Sequence, residues 1–205
     1  MNNQEFKEIL LMGREQRHIE FKTGGSKTDK RLLTKVIRAA ISMANNSDGG
    51  KVIIGISEND DGSLNPDGIT EGDLATWSYD KISDSLAEYC EPNIIFDYEV
   101  FEYESNNFII LNVSDFDEVP ILCKKDYPEV LRSGACYVRT RRKPETSEIP
   151  TYIDMRDLID LAVEKSMRKF IKRANNSGIL LSNHVQLTDD DLYASQLDYL
   201  RDVDE

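Results

Sequence analysis

Two runs decide the fold: Lys51-Val-Ile-Ile-Gly-Ile-Ser57 and, ahead of it, Glu15-Gln-Arg-His-Ile-Glu-Phe-Lys22. The later run is apolar at Val52, Ile53, Ile54 and Ile56. Apolar residues on both faces of an extended segment predict a strand central in its sheet. Gly55 interrupts the run, which predicts a bulge or the close approach of another backbone. The earlier run alternates, with Ile19 and Phe21 apolar and His18, Glu20 and Lys22 polar, as a half-buried strand does. Between the two, Leu32, Leu33, Val36, Ile37, Ala40, Ile41 and Ala44 recur with helical period. Ser26 with Asp29 reads as a capping box for that helix, and Asn45 to Gly50 stops it and turns the chain.

Outward from this centre, residues 3–12 place Phe6, Ile9 and Leu10 on one face of a short helix ended by Gly13. Glu58 opens a turn containing Asp61-Gly62, a hairpin signal. Trp77, Ile82, Leu86 and Tyr89 predict a second helix over 74–90, closed by Pro92, with Trp77 in the core. Strands are predicted at Ile94–Tyr103, Phe108–Ser114, Val119–Cys123 and Gly134–Thr140, with Ser105-Asn-Asn107 as a hairpin loop and Pro144 ending the compact part. A helix is predicted over 153–174, stopped by Asn175-Asn-Ser-Gly178. Another should start at Thr188, where three aspartates occupy the first turn.

The chain has 205 residues, 40% hydrophobic and 31% charged, as expected of a soluble globular protein. No apolar run reaches the ~18–20 residues of a membrane span, so no membrane partner is expected. The first residues lack a basic start followed by an apolar core, so no signal peptide is expected and the protein reads as cytoplasmic. The three cysteines, Cys90, Cys123 and Cys136, show no metal-type spacing and read as free thiols. The formal net charge of −13 argues against a protein that coats nucleic acid, but the charge is uneven. Residues 14–38 hold eight Lys/Arg against three Asp/Glu, whereas His184 to Glu205 holds seven acids and one Arg. Local patches, not net charge, decide phosphate contact.

No P-loop, dinucleotide fingerprint or Gly-x-Ser-x-Gly is present, and two histidines are too few for a His-rich metal site. Carboxylates are plentiful. Hard cations such as Mg²⁺ or Mn²⁺ prefer oxygen ligands and need few from the protein when phosphate and water complete the shell. Glu15 and Glu20 would fall on opposite faces of one regular strand and converge only if Glu15 precedes it. Glu58 leaves the central strand at its end, a place that carries either function or an ordinary turn. On α-helical spacing Lys30, Arg31, Lys35 and Arg38 form a stripe that reads equally as a solvated face or a phosphate contact. Arg139 has two readings as well: a phosphate contact with Arg141, Arg142 and Lys143, or the partner of a core carboxylate beneath the sheet.

Residues 15–145 resemble the AlbA-like domain of the Schlafen family. Glu15, Ile19-Glu-Phe-Lys22, Ala44-Asn45, Gly49-Gly50, Ile53-Ile-Gly-Ile56, Pro120 and Tyr137-Val-Arg139 carry the resemblance in order. It implies an α+β domain, a mixed β-sheet with flanking helices, over residues 1–150, with 151–205 as a C-terminal helical extension. Related domains of animal Schlafen proteins cleave tRNA and other structured RNA with a divalent metal. Their two glutamates five apart and a downstream acid fall on Glu15, Glu20 and Glu58. The third family ligand is usually Asp, so Glu58 departs from the pattern by one methylene, and Asp60 or Asp61 stands nearby as a substitute. Many bacterial relatives are described only as DNA-binding or ATP-binding regulators.

Three functional expectations follow. In the first, Glu15, Glu20 and Glu58 hold Mg²⁺ or Mn²⁺ as catalytic metal ligands of a nuclease acting on tRNA-like RNA or single strands. Lys22, Lys30, Arg31, Lys35, Arg139, Arg141, Arg142 and Lys143 then bind the backbone. In the second, the same basic residues serve a non-catalytic DNA- or RNA-binding regulator, with Tyr137 as a stacking surface. In the third, the chain is an interaction subunit of a larger, defence-related assembly or a homo-oligomer, through its acidic C-terminal segment. RNA is expected ahead of DNA as the partner.

Overall fold

The structure, a computed structural model, describes residues 1–59, 62–140 and 144–177. The expected helix from Thr188, the acidic segment, Asp60, Asp61, and Arg141 to Lys143 lie outside the described residues. In chain order the elements are α1 (Asn3–Leu11), β1 (Ile19–Lys22), α2 (Lys30–Ala44), β2 (Gly50–Ile54), β3 (Ser57–Glu58), β4 (Leu64–Asn65), α3 (Glu71–Leu74) and α4 (Tyr79–Tyr89). Then come β5 (Cys90–Glu91), β6 (Phe96–Tyr103), β7 (Asn106–Val113), β8 (Leu122–Cys123), β9 (Tyr137–Arg139), β10 (Thr146–Glu148) and α5 (Tyr152–Asn176). The chain divides into two compact units, Met1–Ser166 and Met167–Glu205. Among the described residues no helix is long and apolar enough to cross a membrane.

The main sheet has the order β1-β2-β7-β6. β1 and β2 run parallel, with Glu20 opposite Val52; the other pairings are antiparallel. This is the mixed sheet of an α+β fold, and β2 is central in it, as its two-sided apolar pattern requires. Both faces are covered. Val52 and Ile54 of β2 and Ile109, Leu111 and Val113 of β7 meet Val36, Ile37, Ala40 and Ile41 of α2. On the other face Ile53, Phe108 and Ile110 meet Phe6 and Ile9 of α1, and the Phe6 ring centroid lies 4.8 Å from that of Phe108.

Local chemistry sets the ends of the elements. Asp29, not Ser26, caps α2: its carboxylate accepts from the N–H groups of Arg31 and Leu32, while Ser26 accepts from Thr28 within the preceding turn. At the other end Asn45 is buried and its side-chain amide ties α2 to two other segments. Its Nδ2 donates to the carbonyls of Ile121 and Tyr137 at 2.8 and 3.0 Å, and its Oδ1 accepts from the Ile121 N–H. Trp77 is in the core as expected, but α4 begins only at Tyr79 behind a Ser78 cap; Trp77 sits before that cap and donates to the Gly25 carbonyl. The β6–β7 hairpin turns on Glu104 and Ser105, both at positive φ, so Asn106 and Asn107 belong to β7 and not to the loop. Pro144 does not end the compact part, because β10 follows it and pairs with β9.

Gly55 is where two backbones meet. Its φ is +115°, and a Cβ there would lie 2.8 Å from Phe108 Cδ1 and 3.1 Å from the Gly68 Cα. The Gly68 N–H donates to the Gly55 carbonyl across this contact. Gly55→Ala therefore meets both backbone strain and a clash with backbone that cannot swing aside, and urea denaturation should show a loss of about 2 kcal/mol.

Candidate functional site

β1 carries the site. Phe21 turns to α1, which points Glu20 to the opposite face, towards α2 and the β9–β10 hairpin. The alternation of the sequence is thus obeyed, but the polar face it marks is covered, and Glu20 is only 5% exposed. Glu15 lies before the strand, in the turn after α1, and its Oε1 accepts from the Phe21 N–H at 3.1 Å. That placement lets two glutamates five residues apart converge.

They converge on Arg139 of β9, whose side chain is fully buried. Its Nη1 donates to Glu20 Oε2 at 2.8 Å and to Glu15 Oε2 at 3.2 Å. Its Nη2 donates to the carbonyls of Gln16 and Ile19 at 2.7 and 3.2 Å. Glu20 Oε2 also accepts from Thr146 Oγ1 at 2.5 Å, and Glu20 Oε1 pairs with the Lys22 ammonium. The core-carboxylate reading of Arg139 is therefore the one the geometry realises.

The two carboxyls respond in opposite directions. Burial and the neighbouring Glu20 charge push Glu15 above its usual value, against the pull of Lys22 and Arg139. Burial alone would raise Glu20 too. There the charges of Lys22 and Arg139, with hydrogen bonds from Lys22 and Thr146, outweigh it and hold Glu20 below its usual value.

Glu15, Glu20, Lys22 and Glu58 line one cleft of about 470 Å³, together with Lys35, Arg38, Glu145 and Thr146. The expected residues Lys30 and Arg31 are not part of its lining; Arg31 instead pairs at the surface with Glu129. Arg38, the last residue of the basic stripe expected on α2, stands one helical turn beyond Lys35 and does line the cleft. It donates from Nη2 to the Thr146 carbonyl and lies 5.1 Å over the Tyr137 ring. Tyr137 is buried and one ring face is taken by Arg38, so it offers no stacking platform to a base.

A divalent ion does not fit the two glutamates in this arrangement. All four of their carboxylate oxygens already accept from N–H, ammonium or hydroxyl donors, and Arg139 supplies positive charge where the ion would sit. Among the described residues no three His, Cys, Asp or Glu side chains come together as a metal site.

A mixed sheet with helices on both faces, with paired glutamates ahead of and on its parallel edge strand, makes this an α+β domain. The family model Schlafen, AlbA_2 matches residues 15–147, and the chain belongs to that family. The family supports a nucleic-acid-related role. Among solved structures the chain is similar to the DIP2311 protein from Corynebacterium diphtheriae, at 17% identity and a TM-score of 0.49, over 71% of this chain and 26% of that one. It is also similar to the N-terminal domain of a RecG-related protein from Nitrosomonas europaea, at 21% identity and a TM-score of 0.44, over 65% of this chain and 88% of that one. The chain thus spans about a quarter of the first protein. No curated protein matches the chain.

Arg139→Gln leaves two buried carboxylates without their shared cation, and should cost about 3 kcal/mol or more at pH 7. In the wild type, the lowered Glu20 adds stability above the ordinary carboxylate range that is lost on acidification; the raised Glu15 acts with the opposite sign. Without Arg139 both carboxyls move up, so the loss should shrink as the pH falls from 7 towards 5. Denaturation series for both proteins across that window check this; a loss independent of pH would contradict it.

Proposed function

We propose that this chain binds nucleic acid through phosphate contacts along α2 and the cleft beside it. The observation that carries the reading is the row Arg31, Lys35 and Arg38. Spaced four and three residues apart, Arg31 and Lys35 are exposed and Arg38 is half-buried, and Lys35 and Arg38 line the cleft. In the cleft the charges of Glu15 and Glu20 are offset by Arg139 and Lys22, so the two glutamates do not repel a phosphate as free carboxylates would. On this reading the glutamates serve to hold Arg139 and the floor of the cleft.

A second reading, hydrolysis of RNA with Mg²⁺ or Mn²⁺, is favoured by one observation: Glu58 lines the same cleft as Glu15 and Glu20. It requires the glutamates to exchange their present donors for a metal.

One set of measurements separates the two. Fluorescence anisotropy with a tRNA-like hairpin, single-stranded RNA and duplex DNA should give salt-sensitive binding without added metal. Arg31→Glu with Lys35→Glu should weaken it at least about tenfold on every probe and lower the slope against log salt by about one per lost contact. Unchanged binding would sink the first reading. The second demands cleavage with Mn²⁺ that disappears in Glu58→Gln; intact probe after incubation with the wild type rejects it.

A further inference from the structure

Cys90 and Cys123 stand directly opposite each other across the antiparallel pair β5–β8. Side chains opposed in this way leave the same face of the ladder. The hydrogen bonds around them show which kind of pair they make. Cys123 donates its own N–H to the Ala135 carbonyl at 2.9 Å, and its carbonyl accepts from the Gly134 N–H at 2.7 Å. The Cys90 N–H goes to the Leu86 carbonyl. The ladder bond runs instead between their neighbours, from the Lys124 N–H to the Tyr89 carbonyl at 2.7 Å. The two cysteines are therefore a non-hydrogen-bonded pair, the closer kind, whose Cα atoms stand about 4.5 Å apart. A disulfide takes a Cα separation of about 4.4–6.8 Å.

Both residues are buried in one core cluster. The Cys123 thiol points its weak donor at the Lys125 carbonyl, 3.3 Å away. Cys136 is engaged elsewhere: its sulfur accepts from Asn45 Nδ2 at 3.3 Å and lies 3.7 Å from the Ile121 carbonyl. Burial pushes the Cys90 and Cys123 thiols above their usual value, and at Cys90 the neighbouring Cys123 adds to the push. Thiolate is thus scarce at neutral pH, and exchange is slow. A disulfide carries no charge, so it suits these apolar surroundings where either thiolate does not.

We infer that Cys90 and Cys123 are a site of reversible oxidation, closing to a disulfide when the chain meets a small-molecule disulfide. The thiolate of one cysteine attacks a sulfur of that oxidant. The oxidant's S–S bond breaks, and one half leaves as a thiol after taking up a proton. The other cysteine, deprotonated in turn, attacks the mixed disulfide and expels the second half in the same way. Two electrons and two protons pass to the oxidant, which ends as two free thiols. The new bond ties β5, at the end of α4, to β8 and closes a loop over residues 91–122. Such a cross-link stabilises a fold by restricting its unfolded chain.

The full chain tests this when held for a day with oxidised glutathione, and again when refolded from urea in that reagent, so that access to the buried sulfurs is not limiting. Proteolytic mapping of the oxidised wild type should join the peptide holding Cys90 to the one holding Cys123. In Cys136→Ala, which removes the third of the chain's cysteines, both remaining thiols should disappear while the intact mass falls by two hydrogens. The thermal midpoint should rise by roughly 5 °C or more and return on reduction with dithiothreitol. Free Cys90 and Cys123 thiols after refolding in the oxidant would overturn the proposal. So would a mass gain from glutathione on both sulfurs, a wild-type link through Cys136, or an unchanged midpoint in the linked form.

Discussion

A buried guanidinium cannot stand alone. Removing Arg139 from water costs several kcal/mol in effective terms, and that cost is met only if its donors find charged acceptors and its neighbours keep their geometry. Glu15 and Glu20 supply the charge, and the carbonyls of Gln16 and Ile19 supply further acceptors for its two Nη groups. In meeting this requirement the chain fixes the turn before β1, the strand itself and the β9–β10 hairpin relative to one another, although about 120 residues separate the partners in sequence. Lys22 and Thr146 complete the set, and Ser42 of α2 meets Thr146 at 2.8 Å, so the helix is drawn into the same network.

Much of this architecture is legible in the sequence, for physical reasons. The periods of α2 and β2 are strong because each element buries a face, and in β2 both faces. Gly55 announces a backbone contact because only a residue without a side chain fits there. What is less legible depends on partners distant in the chain. Alternation says which way Glu20 points but not that Arg139 waits there. The three-residue β10, polar and placed after a proline, has no apolar pattern to declare it; it exists because β9 offers it an edge. Trp77 and Asn106–Asn107 mislead in the other direction: an aromatic with helical spacing precedes its cap, and two turn-prone asparagines sit inside a strand whose two-residue turn falls just before them.

The site shows how one set of residues can sustain two chemical readings. Carboxylates five apart at the head of a parallel strand can serve a metal, or they can serve an arginine. The choice rests on which cation the fold delivers, and this chain delivers Arg139 from its own β9. The opposite displacements of the two carboxyls express that arrangement: at Glu20 two cations at close range outweigh a strong burial effect, and at Glu15, which shares the guanidinium from farther away, burial and the neighbouring Glu20 charge prevail.

β1 is the outer strand of its sheet, with β2 on one side only. An outer strand exposes backbone acceptors that invite another chain to extend the sheet. Here the carbonyl of Ile19 is taken by the Gln16 N–H and by Arg139, and that of Gln16 by Ile19 and Arg139. The arginine that organises the site therefore also acts as a gatekeeper, denying a stray strand its first hydrogen bonds.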